Sequence, residues 1–264
     1  MESKNPVFSK SRNTQGQGWA GPAPTPDHLQ NMYDAPSYAP PARPATRTMT
    51  LDDVVIRGFI TLGVLVAAAG AAWVLKVPLG VAVGSAIVAL VLGLIASFKQ
   101  STNPALILGY AIFEGVFLGA LSSFFEARYP GIVLNAVVGT MMAFLGVLAV
   151  YTLRIVRVTP KLVKFVIAAA IGALGLMLVN WIASFFVGGG LGLRTDSPLG
   201  IIFSAAMILL GCFFLLLDFD SIEQGVKQGA PEKFAWQCVF GLTLSLVWIY
   251  LEVLRFVSYF SGDD

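Results

Sequence analysis

Charge is scarce in this chain. Of its 264 residues, 12% are Asp, Glu, Lys or Arg and 56% are hydrophobic, whereas soluble domains carry roughly a quarter charged residues. That composition excludes a water-soluble globular domain and identifies an integral membrane protein whose solvent is the lipid bilayer. With 17 basic and 15 acidic residues the net charge is +2, which excludes nucleic-acid binding, because such binders gather Lys and Arg on one face. Histidine is nearly missing: the single one, His28, lies in the first 50 residues, leaving no histidine for catalysis or metal binding in the remainder. Two cysteines, Cys212 and Cys238, sit in or beside apolar segments without histidine neighbours and read as small core residues. The glycine-rich "GGGLGLR" at 188–194 lacks the Lys-Ser/Thr of a phosphate loop. No nucleophile elbow and no repeat of 20–50 residues is present.

Residues 1–50 hold no apolar stretch of the kind that forms a signal peptide. They are rich in Pro, Ala and Gly and cannot bury enough apolar surface to offset chain entropy, so a disordered tail is expected, with Tyr33 and Tyr38 as its notable side chains.

From residue 51 onward the chain is built of apolar runs. A span needs about 20 mostly apolar residues to cross ~30 Å of hydrocarbon. Six runs qualify: about Val54 to Leu75, Leu79 to Phe98, Ala105 to Phe125, Gly131 to Leu153, Val163 to Val187, and Leu199 to about Ile222. A last run, Val239 to Phe260, is either a seventh span or a buried re-entrant segment. The preceding "PEKFAWQCVF" reads as a short interfacial helix with Pro231 in its first turn and Trp236 at headgroup level. Small-residue clusters such as "AAAGAA" and "AAAIGALG" mark faces where helices pack closely. Loop charges set the orientation. Lys99, Arg154, Arg157, Lys161, Lys164, Lys227 and Lys233 fall on the side of the N-terminus, with Lys76, Arg128 and Arg194 opposite, so a cytosolic N-terminus in a cell membrane is expected.

Ionisable groups inside such spans are costly, about 2.5–3.5 kcal/mol each at mid-membrane, and mark functional positions. Glu114 lies in the third run, Asp218 and Asp220 near the end of the sixth, and Glu252 and Arg255 in the last. If the last helix begins after Gly241, Glu114 and Glu252 stand at similar heights near the bilayer centre. Asp218 then lies lower, and the acids form a string rising from the cytosol. Arg255, three residues after Glu252, is on the same helix face and can pair with it. Simpler readings are an anchoring Glu252–Arg255 pair, an Asp218–Asp220 helix end reaching headgroup water, and a Glu114 hydrogen bond to a neighbouring helix. The functional reading is a cation path: oxygen ligands suit hard cations such as Ca²⁺, and crowded carboxylates share protons, which makes cation occupancy depend on pH. Intramembrane proteolysis by two aspartates is disfavoured, since Asp218 and Asp220, two apart on one helix, point in different directions.

The segments "YAIFEGVFLGALSSFF", "LLLDFDSIEQGVKQGAPEKFAW" and "FGLTLSLVWIYLEVLRF" resemble the Bax inhibitor/YccA family of transmembrane Bax inhibitor motif proteins, and with the Pro-rich tail its actinobacterial-type branch. The resemblance spans about residues 50–264 and is most specific in the last third. It implies an all-α membrane fold of seven helices, six wrapped around a more central last one, behind a tail of residues 1–50. It also implies a non-enzymatic, pH-sensitive Ca²⁺ leak without a bound cofactor, or inhibitory association with a membrane-anchored AAA protease. In the family an aspartate near the end of the sixth helix pairs with an acid in the seventh. These roles carry over onto Asp218 and Glu252, which would also be the metal-contacting pair, with Asp220 and Glu114 as accessory acids. A family latch uses an arginine near the end of the second span, where this chain has Lys99.

Overall fold

The computed structural model describes residues 47–261, together with Pro26 and Gln30 further upstream. Most of the tail expected to be disordered over residues 1–50, with His28, Tyr33 and Tyr38, lies outside the described residues, whereas residues 47–50 are ordered. Seven helices follow one another: α1 (Leu51–Val74), α2 (Leu79–Phe98), α3 (Pro104–Arg128), α4 (Ile132–Thr152), α5 (Pro160–Ala183), α6 (Pro198–Lys227) and α7 (Phe234–Ser258). Each is long and apolar enough to cross a membrane, and the described residues contain no strand.

Local chemistry accounts for the helix starts. Thr50 caps α1 in a reciprocal box with Asp53: the Thr50 N–H donates to Asp53 Oδ2 at 2.9 Å and the Asp53 N–H to Thr50 Oγ1 at 3.3 Å. Three other helices begin with a capping side chain followed by proline, at Asn103-Pro104, Thr159-Pro160 and Ser197-Pro198. Proline fits that first position because its missing N–H would have had no partner within the helix.

The last run is a full span. α7 is the most buried of the seven, and side chains from α1, α2, α3, α4 and α6 reach it. Leu65 of α1 and Ala111 and Leu118 of α3 pack around Val247. Tyr110 of α3 and Ala89 and Ala96 of α2 surround Phe240. Ile132 and Ala136 of α4 and Leu215 of α6 meet Ile249 and Val253, and Trp248 borders the cluster that Val166 and Ala173 of α5 share with Met207. The expected central last helix is therefore present, and the re-entrant alternative is not.

Several expected boundaries move, α5 for example ending at Ala183 rather than Val187, and two changes bear on the site. α7 begins at Phe234, so "PEKFAWQCVF" is no separate interfacial helix; Pro231 instead forms an antiparallel bridge with Thr48. The Met49 N–H donates to the Ala230 carbonyl (2.8 Å), the Glu232 N–H to the Arg47 carbonyl (2.9 Å), and Arg57 holds Glu232 through its backbone carbonyl (2.7 Å) and carboxylate (2.5 Å). Residues 47–50 are thus strapped to the α6–α7 turn, with Met49 buried against Ile222, Ala235 and Val239. The second change is at α6, which continues past Ile222 to Lys227. Its extra turn is amphipathic: Glu223 pairs with Lys227 one turn on and accepts a hydrogen bond from Tyr151 of α4.

α1 and α3 approach to backbone contact. A Cβ on Gly119 would overlap the Ala69 carbonyl oxygen, and one on Gly115 the Leu65 carbonyl oxygen, whereas Gly172 of α5 has open space around it. Overpacking a tight contact costs typically about 1–3 kcal/mol. Gly119→Val is therefore expected to lower the thermal unfolding midpoint of the detergent-solubilised protein by several degrees. Gly172→Ala should leave it within error, as read by a thiol-independent melting assay.

Candidate functional site: the α6–α7 seam

α6 and α7 run antiparallel and pack along their length, and the chemistry collects where they meet. The face of the bundle at which α1 starts is called the near face, and the opposite one the far face. Seven alternating spans bring the end of α2, the end of α6 and the start of α7 to the near face.

Asp218 lies on α6 facing α7. The Ser245 hydroxyl donates to its Oδ2 at 2.5 Å, and a Cβ on Gly241 would stand 2.7 Å from its Oδ1. Glycine at 241 is therefore what lets the carboxylate sit against the α7 backbone. Asp218 also lines a partly open cavity of ≈ 250 Å³ with Ser97 of α2, Ser221 of α6, and Gln237, Cys238 and Gly241 of α7. No Lys or Arg contacts it among the described residues. A carboxylate with one hydroxyl donor, a cavity at its side and no counter-ion can take up a proton or a hard cation.

Above it the seam becomes apolar. A Cβ on Gly211 would lie 2.8 Å from Ile249 and 2.9 Å from Trp248. The Trp248 indole N–H donates to the Met207 carbonyl at 3.0 Å, fixing the ring. Leu215 and Ile249 are fully buried here.

Glu252 lies beyond this layer, toward the far face. It does not meet Asp218: the hydroxyl that Asp218 uses, Ser245, is seven residues earlier, about 10 Å down the axis of α7 at 1.5 Å per residue. Its partner is Arg194 of the α5–α6 loop, whose Nη1 reaches Oε2 at 2.8 Å and Nη2 reaches Oε1 at 2.9 Å. Arg255 stands at 4.0 Å from Oε1. The expected Asp218–Glu252 pair and the rising string are thus replaced by two separate sites. The physical reason is the start of α7 at Phe234 rather than after Gly241, which carries Glu252 about 27 Å from the helix start, past the membrane centre. Sequence reasoning missed Arg194. The signal was there: a buried carboxylate needs a cation, Arg194 is one of three basic residues in the far loops, and the glycines before it let the loop turn inward.

The other acids lie apart. Glu114, half-buried on α3 one turn after Tyr110, has no hydrogen-bond or ion-pair partner among the described residues. Asp220 and Glu223 occupy the last turns of α6, Glu223 on Tyr151 and Lys227. Lys99, in the position of the family's latch arginine, is an exposed cap of α2. Cys212 and Cys238 are free thiols, the second buried. No cluster of three or more Asp, Glu, His or Cys able to hold a metal occurs among the described residues.

A double-mutant cycle tests the Asp218 contact. Hydrogen bonds to charged groups are worth about 1.5–3 kcal/mol. Ser245→Ala should cost that much in unfolding free energy in the wild-type background and close to nothing once Gly241→Ala has pushed the carboxylate aside.

The family model described as "Bax inhibitor 1 like" matches residues 5–262. The match extends upstream of the segments that carry the resemblance in sequence. No curated protein and no solved structure matches the chain.

Proposed function

The chain belongs to the Bax inhibitor 1-like family, and from that premise we propose that it is a pH-sensitive leak for a hard cation such as Ca²⁺, acting without enzymatic chemistry or bound cofactor. The observation that carries this reading is Asp218: a carboxylate within a membrane helix, open to a cavity lined by Ser97, Ser221 and Gln237 and lacking a cationic neighbour among the described residues. Such a group is relieved by whatever positive charge enters the cavity. A cation and a proton compete for it, so occupancy follows pH. Protonation also ends its role as a purely accepting partner of Ser245, and with it the charge-assisted contact that ties α6 to α7. The Lys and Arg residues of the near-face loops favour a cytosolic near face, which makes the Asp218 cavity a cytosolic vestibule.

Ca²⁺ flux across pH in proteoliposomes tests this reading. The wild-type protein is expected to conduct with a pH dependence that Asp218→Asn abolishes. A variant with intact folding and an unaltered pH profile would rule Asp218 out as the sensor.

A second reading, modulation of a membrane-anchored AAA protease through the tail, is favoured by the strap. The residues following the tail clasp the α6–α7 turn and share Cys238 and Phe234 with the wall of the Asp218 cavity. Because Met49 is part of the core, truncation should stop at residue 46. Deleting residues 1–46 is expected to abolish co-purification of the protease while Asp218→Asn leaves it intact; retained co-purification without the tail would discard this reading.

A further inference from the structure

We propose that Arg194 is a latch: it holds the α5–α6 loop over the far end of the α6–α7 seam, and Arg255 is the alternative partner that takes Glu252 when the loop lifts. The proposal rests on the leak reading for its effect on flux, though not for the latch itself.

The guanidinium of Arg194 joins three helices through one side chain. Both of its Nη atoms engage Glu252 of α7, its Cζ lies 5.4 Å from the Phe203 ring centroid of α6, and Nη2 lies 3.5 Å from the Met177 sulfur of α5. A planar fork matched to a carboxylate is the geometry that lysine cannot reproduce. The loop is shaped to deliver it. Gly189, Gly190 and Gly192 take positive φ values of 88°, 64° and 75°, a conformation that side chains disfavour. Asn180 accepts the Leu191 N–H at 2.9 Å, and Leu193 of the loop is buried.

Glu252 stands on the continuation of the α7 face that meets Asp218. Gly241, Ser245, Trp248 and Glu252 follow at spacings of four, three and four, which is one stripe of a helix. On α6, Ser204 and Gly211 precede Asp218 at intervals of seven; Ser204 is fully buried and its hydroxyl has no partner among the described residues. A path that begins at Asp218 and follows this stripe meets first the apolar layer of Gly211, Trp248 and Ile249 and then the Arg194–Glu252 pair. The far end is therefore covered by a loop whose one charged tie to α7 is the Arg194–Glu252 pair.

What makes this a two-state element is Arg255. It sits one turn from Glu252 on α7, 4.0 Å from Oε1, with its side chain more exposed than that of Arg194 (39% against 21%). No hydrogen bond occupies its guanidinium among the described residues. A small rotamer change closes the Glu252–Arg255 pair, so the loop can leave without abandoning a charge inside the bundle. The loop's own arginine and the helix's own arginine compete for one carboxylate, and each choice is a defined arrangement.

The test uses the full-length protein with Cys212→Ala, Cys238→Ala and Leu193→Cys, labelled with a polar maleimide in detergent. With Arg194 present, labelling at position 193 should be slow. Arg194→Gln should speed it at least fivefold, Arg194→Lys should fall between, and the exchange Arg194→Glu with Glu252→Arg should restore slow labelling. In proteoliposomes, Arg194→Gln should raise Ca²⁺ flux several-fold while the exchange variant returns toward wild type. Unchanged labelling in a folded Arg194→Gln protein overturns the latch. Faster labelling with unchanged flux in a conducting protein overturns its role as a closure. If the wild-type protein conducts nothing, the leak reading fails, and the labelling series still decides whether Arg194 holds the loop.

Discussion

A carboxylate enclosed by a lipid-embedded bundle has to be answered by something positive, and this protein answers two of them in opposite ways. Glu252 receives a guanidinium that occupies both of its oxygens. Asp218 receives one hydroxyl and a cavity. The first solution closes the site to further chemistry, because a carboxylate engaged by an arginine fork has little left to offer an ion. The second leaves its charge open to a proton or a cation. Much else in the structure serves these two arrangements: Gly241 admits the Asp218 carboxylate to the α7 backbone, and the left-handed glycines fold Arg194 inward.

The antiparallel seam of α6 and α7 keeps the two answers from merging. Trp248 is pinned to the Met207 carbonyl, and Gly211 lets Ile249 and the indole pack against the α6 backbone. A dry layer of that kind raises the electrostatic cost of moving charge between the two polar ends, since an ion crossing it finds no oxygen to replace its water. Because side chains of five other helices pack on α7, a change along its seam is felt across most of the bundle.

Much of the architecture was legible in the sequence because lipid simplifies the problem. Runs such as Leu79 to Phe98 had to be helical spans, as α2 is. The boundaries were harder where polar chemistry extended a helix beyond its apolar run. Glu223, Lys227 and Tyr151 carry α6 five residues past Ile222, and a hydropathy pattern has no means of registering a contact with α4. Pro231 was misread for a related reason. It has the local signature of a helix start, yet its position is set by pairing with Thr48, a residue 183 positions earlier. At the site, Asp218 and Glu252 stood out as charges in apolar surroundings, while their partners did not. Arg255 is the near neighbour that helix geometry suggests, but Arg194 arrives from 58 residues away with both nitrogens aligned.

The choice among the membrane acids follows from three demands that an ion-responsive carboxylate must meet together: access, freedom from a counter-ion, and a partner whose position depends on its charge. Glu252 fails the second, since its charge is already matched by Arg194. Glu223 fails it as well through Lys227, and it lies in the last turn of α6, beyond the seam. Glu114 is free of a cation among the described residues, but no hydrogen bond there ties its charge to another helix. Asp218 meets all three: the cavity gives access, its surroundings supply oxygens rather than nitrogens of opposite charge, and Ser245 places the consequence of losing that charge on α7, the most buried helix. A proton arriving at that one atom therefore acts on the centre of the bundle and not on its surface.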